Sequence, residues 1–320
     1  MALRLRALLL YAGLLAVAAA LGMVVRHWYY DGPFAKPRSF IVEEGATLHG
    51  TARALEREGL IRSATAFSRL GQLLGSDDPI RAGEFAIPAQ ASGSQILDIL
   101  QHAQAIQRLV TIPEGMPSIL VHEKLMAVPY LTGRVEVPPE GSVLPDSYSY
   151  QRGESRAAVL RRMQDAMNKE FDKLWARRKS GIAVSNRNEA ITLASIVEKE
   201  TGKPSERRMV AGVYTNRLEI GMPLQADPTV IYPITRGKPL GRRILRSELN
   251  ARNGYNTYRM AGMPVGPIAN AGRESIAAVL DPAPTKALYF VADGTGGHVF
   301  ADTLAQHNAN VQRWYAIRRA

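Results

Sequence analysis

The chain contains no cysteine, which excludes a disulfide framework, thiolate metal sites and a cysteine nucleophile. It is short of acidic residues, with 29 Asp+Glu against 40 Lys+Arg and a net charge of +11. Such a surplus suits an anionic neighbour, whether nucleic acid, anionic lipid or another acidic polymer, and the sign alone does not choose among them. No internal repeat of useful length is present. His298 and His307 are too far apart for a helical metal pair, so neither a metal nor any other cofactor is expected. Ser195 lacks the surroundings of a nucleophile elbow and reads as a small packing residue. The glycines of Asp293–Gly297 are turn residues rather than a phosphate cradle, because no helix follows them directly.

What is present is ample apolar content. With 46% hydrophobic and 22% charged side chains over 320 residues, global disorder is excluded. The length predicts about two domains, since single cores stop growing at roughly 250 residues.

Ala7 to Val25 is a run of 19 residues without a charge, enough to cross about 28 Å of hydrocarbon at roughly 1.5 Å per residue. Arg4 and Arg6 precede it, and Arg26 to Tyr30 follow with an arginine and three aromatics in a row of interface formers. A cytoplasmic tail over 1–6 and a membrane span over 7–27 are expected. The short leading tail favours a cytoplasmic N-terminus with the rest exported. A cleaved signal peptide is the alternative, with Ala18-Ala19-Ala20 as the small residues at the cut. Export turns the basic charge away from nucleic acid and toward lipid headgroups or the cell wall.

Residues 28–38, with two prolines and no periodicity, read as a linker. The remainder reads as α+β: a small α+β module over 39–106, then a larger mixed α+β domain over 107–320. In the module, strands are expected at 39–42 and 84–87 and helices at 47–58, 64–74 and 94–101, with Thr47 as a helix cap. In the larger domain a strand at 108–113 and a helix at 117–126 precede Val137–Tyr150, whose Pro, Gly and Ser content predicts no regular element. Two long helices follow at 155–179 and 187–201. Near the end of the chain a hairpin is expected, with strands at 287–292 and 298–301.

Helix 187–201 carries the first candidate for chemistry. At 100° per residue Ala190, Leu193, Ala194 and Val197 share a face, Glu200 lies about 60° from its centre, and Glu198 sits on the other flank. A glutamate at the edge of a buried face is where a carboxyl is desolvated and its pKa raised. Both glutamates also read as surface charges for Lys199, Lys203 or Arg207. Downstream, Gln225 and Asp227 fall in an expected loop at 221–228, where Asp227 serves equally as a turn residue. Gly254-Tyr-Asn-Thr-Tyr258 has the composition of a sugar-binding surface, although packing tyrosines fit it as well.

Taken together, Val110–Gly115, Leu193–Thr201, Val213–Arg217, Ile220–Tyr232, Tyr255–Tyr258, Gly266–Asn270, Leu288–Ala292 and Gln306–Asn308 resemble, in order, the YceG-like family of endolytic murein transglycosylases. The resemblance implies a LysM-like subdomain at 39–106 that binds or orients glycan, and a catalytic domain at 107–320. It implies Glu200 as the catalytic residue, with Gln225, Asp227, Tyr232, Asn256 and Tyr258 lining the substrate cleft. Three positions depart from the family pattern: Ala226 replaces the usual Ser or Thr, Ala271 a frequent Pro, and the 139–146 stretch lacks its usual aromatic. The first bears on one cleft hydrogen bond.

The implied activity is cleavage of the MurNAc–GlcNAc bond of nascent peptidoglycan strands with formation of a 1,6-anhydro end, terminating strands during wall synthesis. The implied setting is the inner membrane, single-pass, with the catalytic domain periplasmic, peptidoglycan glycan strands as substrate, penicillin-binding synthases as partners, and no nucleic acid. A water-using muramidase and a non-catalytic peptidoglycan-binding scaffold are the alternatives.

Overall fold

The computed structural model describes residues 2–319, with the side chains of 2–9, 24 and 27 outside the description. The chain divides into two compact units, Met1–Arg108 and Leu109–Ala320. Both are mixed α+β, and the strands form two-stranded sheets.

In the first unit, helix α1 (Ala2–Trp28) leaves Leu10, Leu14, Leu15 and Leu21 exposed. Among the described residues no helix is long and apolar enough to cross a membrane; the span expected at 7–27 includes side chains that lie outside the description. The stretch expected as a linker at 28–38 also places two side chains in the core of this unit. Trp28 is 2% and Phe34 4% exposed, and the Trp28 ring packs 6.0 Å from that of Phe67. Large aromatics bury more area than the local Pro-Gly composition gives up.

Strand β1 (Arg38–Val42) pairs antiparallel with β2 (Gly83–Ile87), placing Phe40 opposite Phe85. Between them α2 (Leu48–Arg57) starts where the Thr47 hydroxyl accepts the Gly50 N–H at 3.1 Å. Helix α3 (Ala64–Leu74) starts at Ser63, which accepts from the Ala66 N–H. Helix α4 (Gly93–His102) opens with a reciprocal Ser92–Gln95 capping box. Each cap satisfies a donor that helix geometry orphans, contributing about 1 kcal/mol. The apolar faces so fixed bury Leu55, Leu60, Ile87, Ile96 and Leu100 completely.

In the second unit β3 (Arg108–Thr111) pairs with β4 (Ser147–Tyr150). The composition of 137–150 predicts no regular element, yet β4 falls at its end. Its last four residues, Ser-Tyr-Ser-Tyr, carry a period-2 alternation that buries Tyr150, and this outweighs the loop-like composition before it. Helices α5 (Ser118–Ala127) and α6 (Arg156–Ala176) follow the expected positions.

Helix α7 (Arg187–Glu200) is capped by Asn186, whose Oδ1 accepts the Glu189 N–H at 3.0 Å. Every residue from Ala190 to Val197 is buried, so α7 is enclosed all round rather than amphipathic. It packs against α8 (Arg207–Glu219), α9 (Asp227–Thr235) and α11 (Arg273–Leu280). Ser195 is buried there, donating to the Thr192 carbonyl at 2.7 Å and accepting the Ile268 N–H at 3.0 Å. The short α10 (Arg246–Asn250) lies in the connection between α9 and α11. Strands β5 (Tyr289–Ala292) and β6 (His298–Ala301) form the expected hairpin, and α12 (Leu304–Arg319) packs on it.

Candidate active site

Glu200 is the last residue of α7. It keeps part of its surface open to a cleft while protein atoms ring its carboxyl. Burial pushes this carboxyl up to about 7 by disfavouring the charged form. The negative charge of Asp227 acts in the same direction, and a hydrogen bond from Tyr214 and the Arg217 charge act against it. The C-terminal end of a helix, negative in its dipole, is a further poor place for an anion.

Tyr214 and Arg217 stand three residues apart on α8 and therefore share a helix face. Tyr214 is 1% exposed, and burial holds its hydroxyl well above the ordinary phenol range. It stays a neutral hydrogen-bond partner for Glu200. Arg217 braces the walls of the cleft. Its Nε donates to the Leu288 carbonyl at 2.7 Å, an Nη to the Leu224 carbonyl at 2.6 Å, and its guanidinium lies 5.4 Å over the Tyr289 ring. One cation thus ties β5 and the 222–226 loop to α8.

Gln225 has the left-handed φ of 53°, and its N–H donates to the Thr257 carbonyl at 3.1 Å. The Thr257 hydroxyl accepts the Ala226 N–H at 3.0 Å and lies 2.8 Å from that of Thr229. These bonds zip the 225–229 segment onto the 256–258 segment. Asp227, expected in a loop, opens α9, and its carboxylate accepts the Tyr258 hydroxyl at 2.6 Å. Burial raises the Tyr258 hydroxyl above its usual range, with Asp227 reinforcing the shift.

The cleft so formed has a volume of about 340 Å³, and Glu200, Tyr214, Arg217, Gln225, Asp227 and Tyr258 line it together with Tyr289, Phe290 and His307. Four of the six expected site residues therefore meet: Glu200, Gln225, Asp227 and Tyr258. Tyr232 and Asn256 do not line it. The Tyr232 hydroxyl donates to Glu140 at 3.1 Å, its ring packs 4.8 Å from Tyr255, and it faces a second cavity. Asn256 is fully buried, with its Nδ2 within reach of the carbonyls of Glu248, Leu249 and Ala251. It clasps a loop. Ala226 is 1% exposed and absent from the cleft lining, so no cleft hydrogen bond turns on its methyl group.

Glu198 separates from Glu200. Its carboxylate accepts the Gly272 N–H at 2.8 Å and lies 3.6 Å from Arg207, a structural pair. Arg217, Tyr214 and His307 were missed as site residues. The i, i+3 spacing on α8 was the available signal for the first two. The sequence offers His307 only as a metal ligand; its ring stacks 5.2 Å from Tyr289, and burial, with the Arg217 charge, lowers its pKa.

Chemically, one carboxyl poised near neutrality faces one carboxylate across a cleft walled by aromatic rings. Such a set can deliver a proton to a leaving oxygen and take one back. The flat rings offer surfaces to apolar sugar faces.

Residues 40–313 match the model of the YceG-like family. Among curated relatives, an endolytic murein transglycosylase of Bacillus subtilis (strain 168) is 34% identical over 186 residues, covering 58% of this chain and 50% of its own length. An endolytic murein transglycosylase of Streptococcus pneumoniae serotype 2 (strain D39) is 26% identical over 320 residues, covering 84% and 57% respectively. The chain thus spans little more than half the length of the curated relatives it matches. A 2.6 Å crystal structure of a YceG-like protein from Listeria monocytogenes superposes with a TM-score of 0.53 at 24% identity, covering 86% of this chain and 98% of that one. At that identity the likeness concerns the fold.

Proposed function

The chain belongs to the YceG-like family, and from that premise we propose that it is an endolytic peptidoglycan lytic transglycosylase with Glu200 as its single acid/base. The observation that carries this is the Glu200 carboxyl, held by burial at a pKa of about 7 in the cleft it shares with Tyr214 and Arg217. A group so poised is protonated in a large fraction of molecules at neutral pH and is still a competent base after it has given up its proton.

In the proposed reaction Glu200 donates its proton to the oxygen joining MurNAc C1 to GlcNAc, and the C1–O bond breaks. The carboxylate left behind accepts the proton of the muramyl C6 hydroxyl as that oxygen bonds to C1. A 1,6-anhydro ring results, no water is consumed, and Glu200 ends protonated as it began. Asp227 opposes the positive charge that develops at C1, while Tyr258 fixes the orientation of its carboxylate. Gln225 hydrogen-bonds the sugar.

We further propose an inner-membrane anchor over 7–27 with the remainder periplasmic. The uncharged run and the exposed leucines of α1 support it. The small unit would be a LysM-like module that orients glycan, and the enzyme would terminate nascent strands beside penicillin-binding synthases.

A second reading has a specific observation behind it: Asp227 supplies a second carboxylate in the same cleft, as a water-using muramidase requires. Mass spectrometry of products from uncrosslinked glycan strands separates the two. The transglycosylase yields internal fragments ending in anhydro-MurNAc, one water lighter than the reducing ends of hydrolysis. Reducing ends would transfer the assignment to the muramidase, and intact strands would reject both.

A further inference from the structure

The positive charge of the chain is concentrated. Between Arg236 and Arg259 stand seven cationic side chains and one carboxylate, Glu248, so this short segment holds more than half of the chain's surplus of +11. Lys238 is paired with Glu123 and Arg242 with Glu248. Among the described residues Arg236, Arg243, Arg246, Arg252 and Arg259 have no ion pair, and all five are exposed.

The segment is built rather than loose. Asn256 gathers the carbonyls of Glu248, Leu249 and Ala251, Arg259 donates to the Leu249 carbonyl at 3.2 Å, and the Val265 N–H donates to the Gly254 carbonyl at 2.9 Å. Within this lobe Leu245 is 51% and Val265 66% exposed. Leu240 and Lys238 belong to the same segment and line the second cavity, of about 450 Å³, with Pro117, Leu120 and Ile231. The catalytic reading gives none of these features a role.

We propose that the Arg236–Arg259 lobe, with Val265, is a docking surface for an anionic lipid bilayer. Arginines at an anionic membrane face are drawn to the headgroups within about a Debye length. The exposed leucine and valine among them decide the partner. A hydrophilic polyanion offers such side chains nothing, whereas the boundary between headgroups and acyl chains takes them out of water. The lobe belongs to the unit that carries Glu200, so docking would set the distance of the cleft from the lipid. The inference stands independently of the catalytic reading.

The absence of native cysteine makes a clean test available. Leu245→Cys in the full chain, carrying an environment-sensitive thiol probe, is reconstituted in vesicles of phosphatidylcholine alone or with about 30% phosphatidylglycerol. Expected is a blue shift of the probe, with quenching by a chain-attached lipid quencher, in the anionic vesicles only. Salt on the order of 0.5 M, which shortens the Debye length to a few ångströms, abolishes the shift. So does the triple variant R243E/R246E/R252E. The arginines that flank the apolar run of α1 are unchanged in the triple variant, so a shift that it abolishes belongs to the lobe and not to α1. An emission that is the same in neutral and anionic vesicles, or that survives both salt and charge reversal, overturns the proposal. Where the triple variant fails to fold, the charge-removing single variants R243Q and R246Q, each expected to weaken the shift, decide the matter together with the salt arm.

Discussion

The Tyr258 hydroxyl donates a 2.6 Å hydrogen bond to the Asp227 carboxylate, joining the 254–258 loop to the first turn of α9 beside Glu200. The two residues lie 31 positions apart in sequence, and their contact fixes where the second carboxylate of the cleft points. It also makes a prediction that separates one-carboxylate from two-carboxylate chemistry.

If Asp227 only stabilises developing charge, Asp227→Asn keeps the Tyr258 bond and lowers kcat by roughly 10²-fold or less, with anhydro ends still formed. Tyr258→Phe, which frees the carboxylate, lowers kcat by about tenfold and changes stability by about 1 kcal/mol or less. Steady-state rates on purified strands check both. Complete loss of cleavage in a folded Asp227→Asn protein would point to Asp227 as an obligatory base.

The acid role of Glu200 sets a pH dependence. Because the protonated form acts first, kcat/KM should fall about tenfold per pH unit above about 7 and level off below it.

The same group sets a stability dependence, with a definite sign. The folded state holds the proton more tightly than the unfolded chain, whose carboxyl titrates at about 4.5. The contribution of Glu200 to stability is therefore full below about 4.5 and is lost as pH rises from there through about 7, by up to ~3 kcal/mol at 1.36 kcal/mol per pKa unit. Glu200→Gln cannot ionise. Chemical denaturation should find it more stable than wild type by about that amount at pH 8, with the gap closed near pH 4. A stability difference independent of pH would mean that Glu200 is not desolvated.

Asn256 should behave as a structural residue. Asn256→Ala leaves carbonyls of the 248–251 turn without their donor and costs about 2–3 kcal/mol, read from the denaturation midpoint, with KM within about twofold of wild type at a temperature where the variant is folded. A large rise in KM at unchanged stability would place Asn256 in substrate binding after all.

These two asparagine and glutamate positions show how far the sequence could be read. Helix α7 is enclosed all round from Ala190 to Val197, whereas the 100° rule, a local property, places Glu200 at the edge of an apolar face. It could not choose between Glu200 and Glu198, since what neutralises Glu198 is Arg207 and the Gly272 N–H, the latter from a distant segment. Asn256 and Tyr258 sit two residues apart with the same apparent promise. One turns inward to backbone carbonyls and the other toward Asp227, a choice made by loop closure with no periodicity to announce it. Strands and helices with caps, such as Thr47 before α2, were legible because the cap acts on its own neighbours. Trp28 and Phe34 lie in a stretch whose sequence reads as linker, and only the packing against Phe67 and its neighbours brings them into a core.

The most direct test of the central claim is the rate of internal cleavage of uncrosslinked glycan strands by Glu200→Gln, with circular dichroism establishing that the variant is folded. The substitution preserves shape and removes the proton donor. The account predicts a loss of at least roughly 10³-fold with no anhydro-MurNAc ends above background. Cleavage by the folded variant within about tenfold of wild type would contradict it.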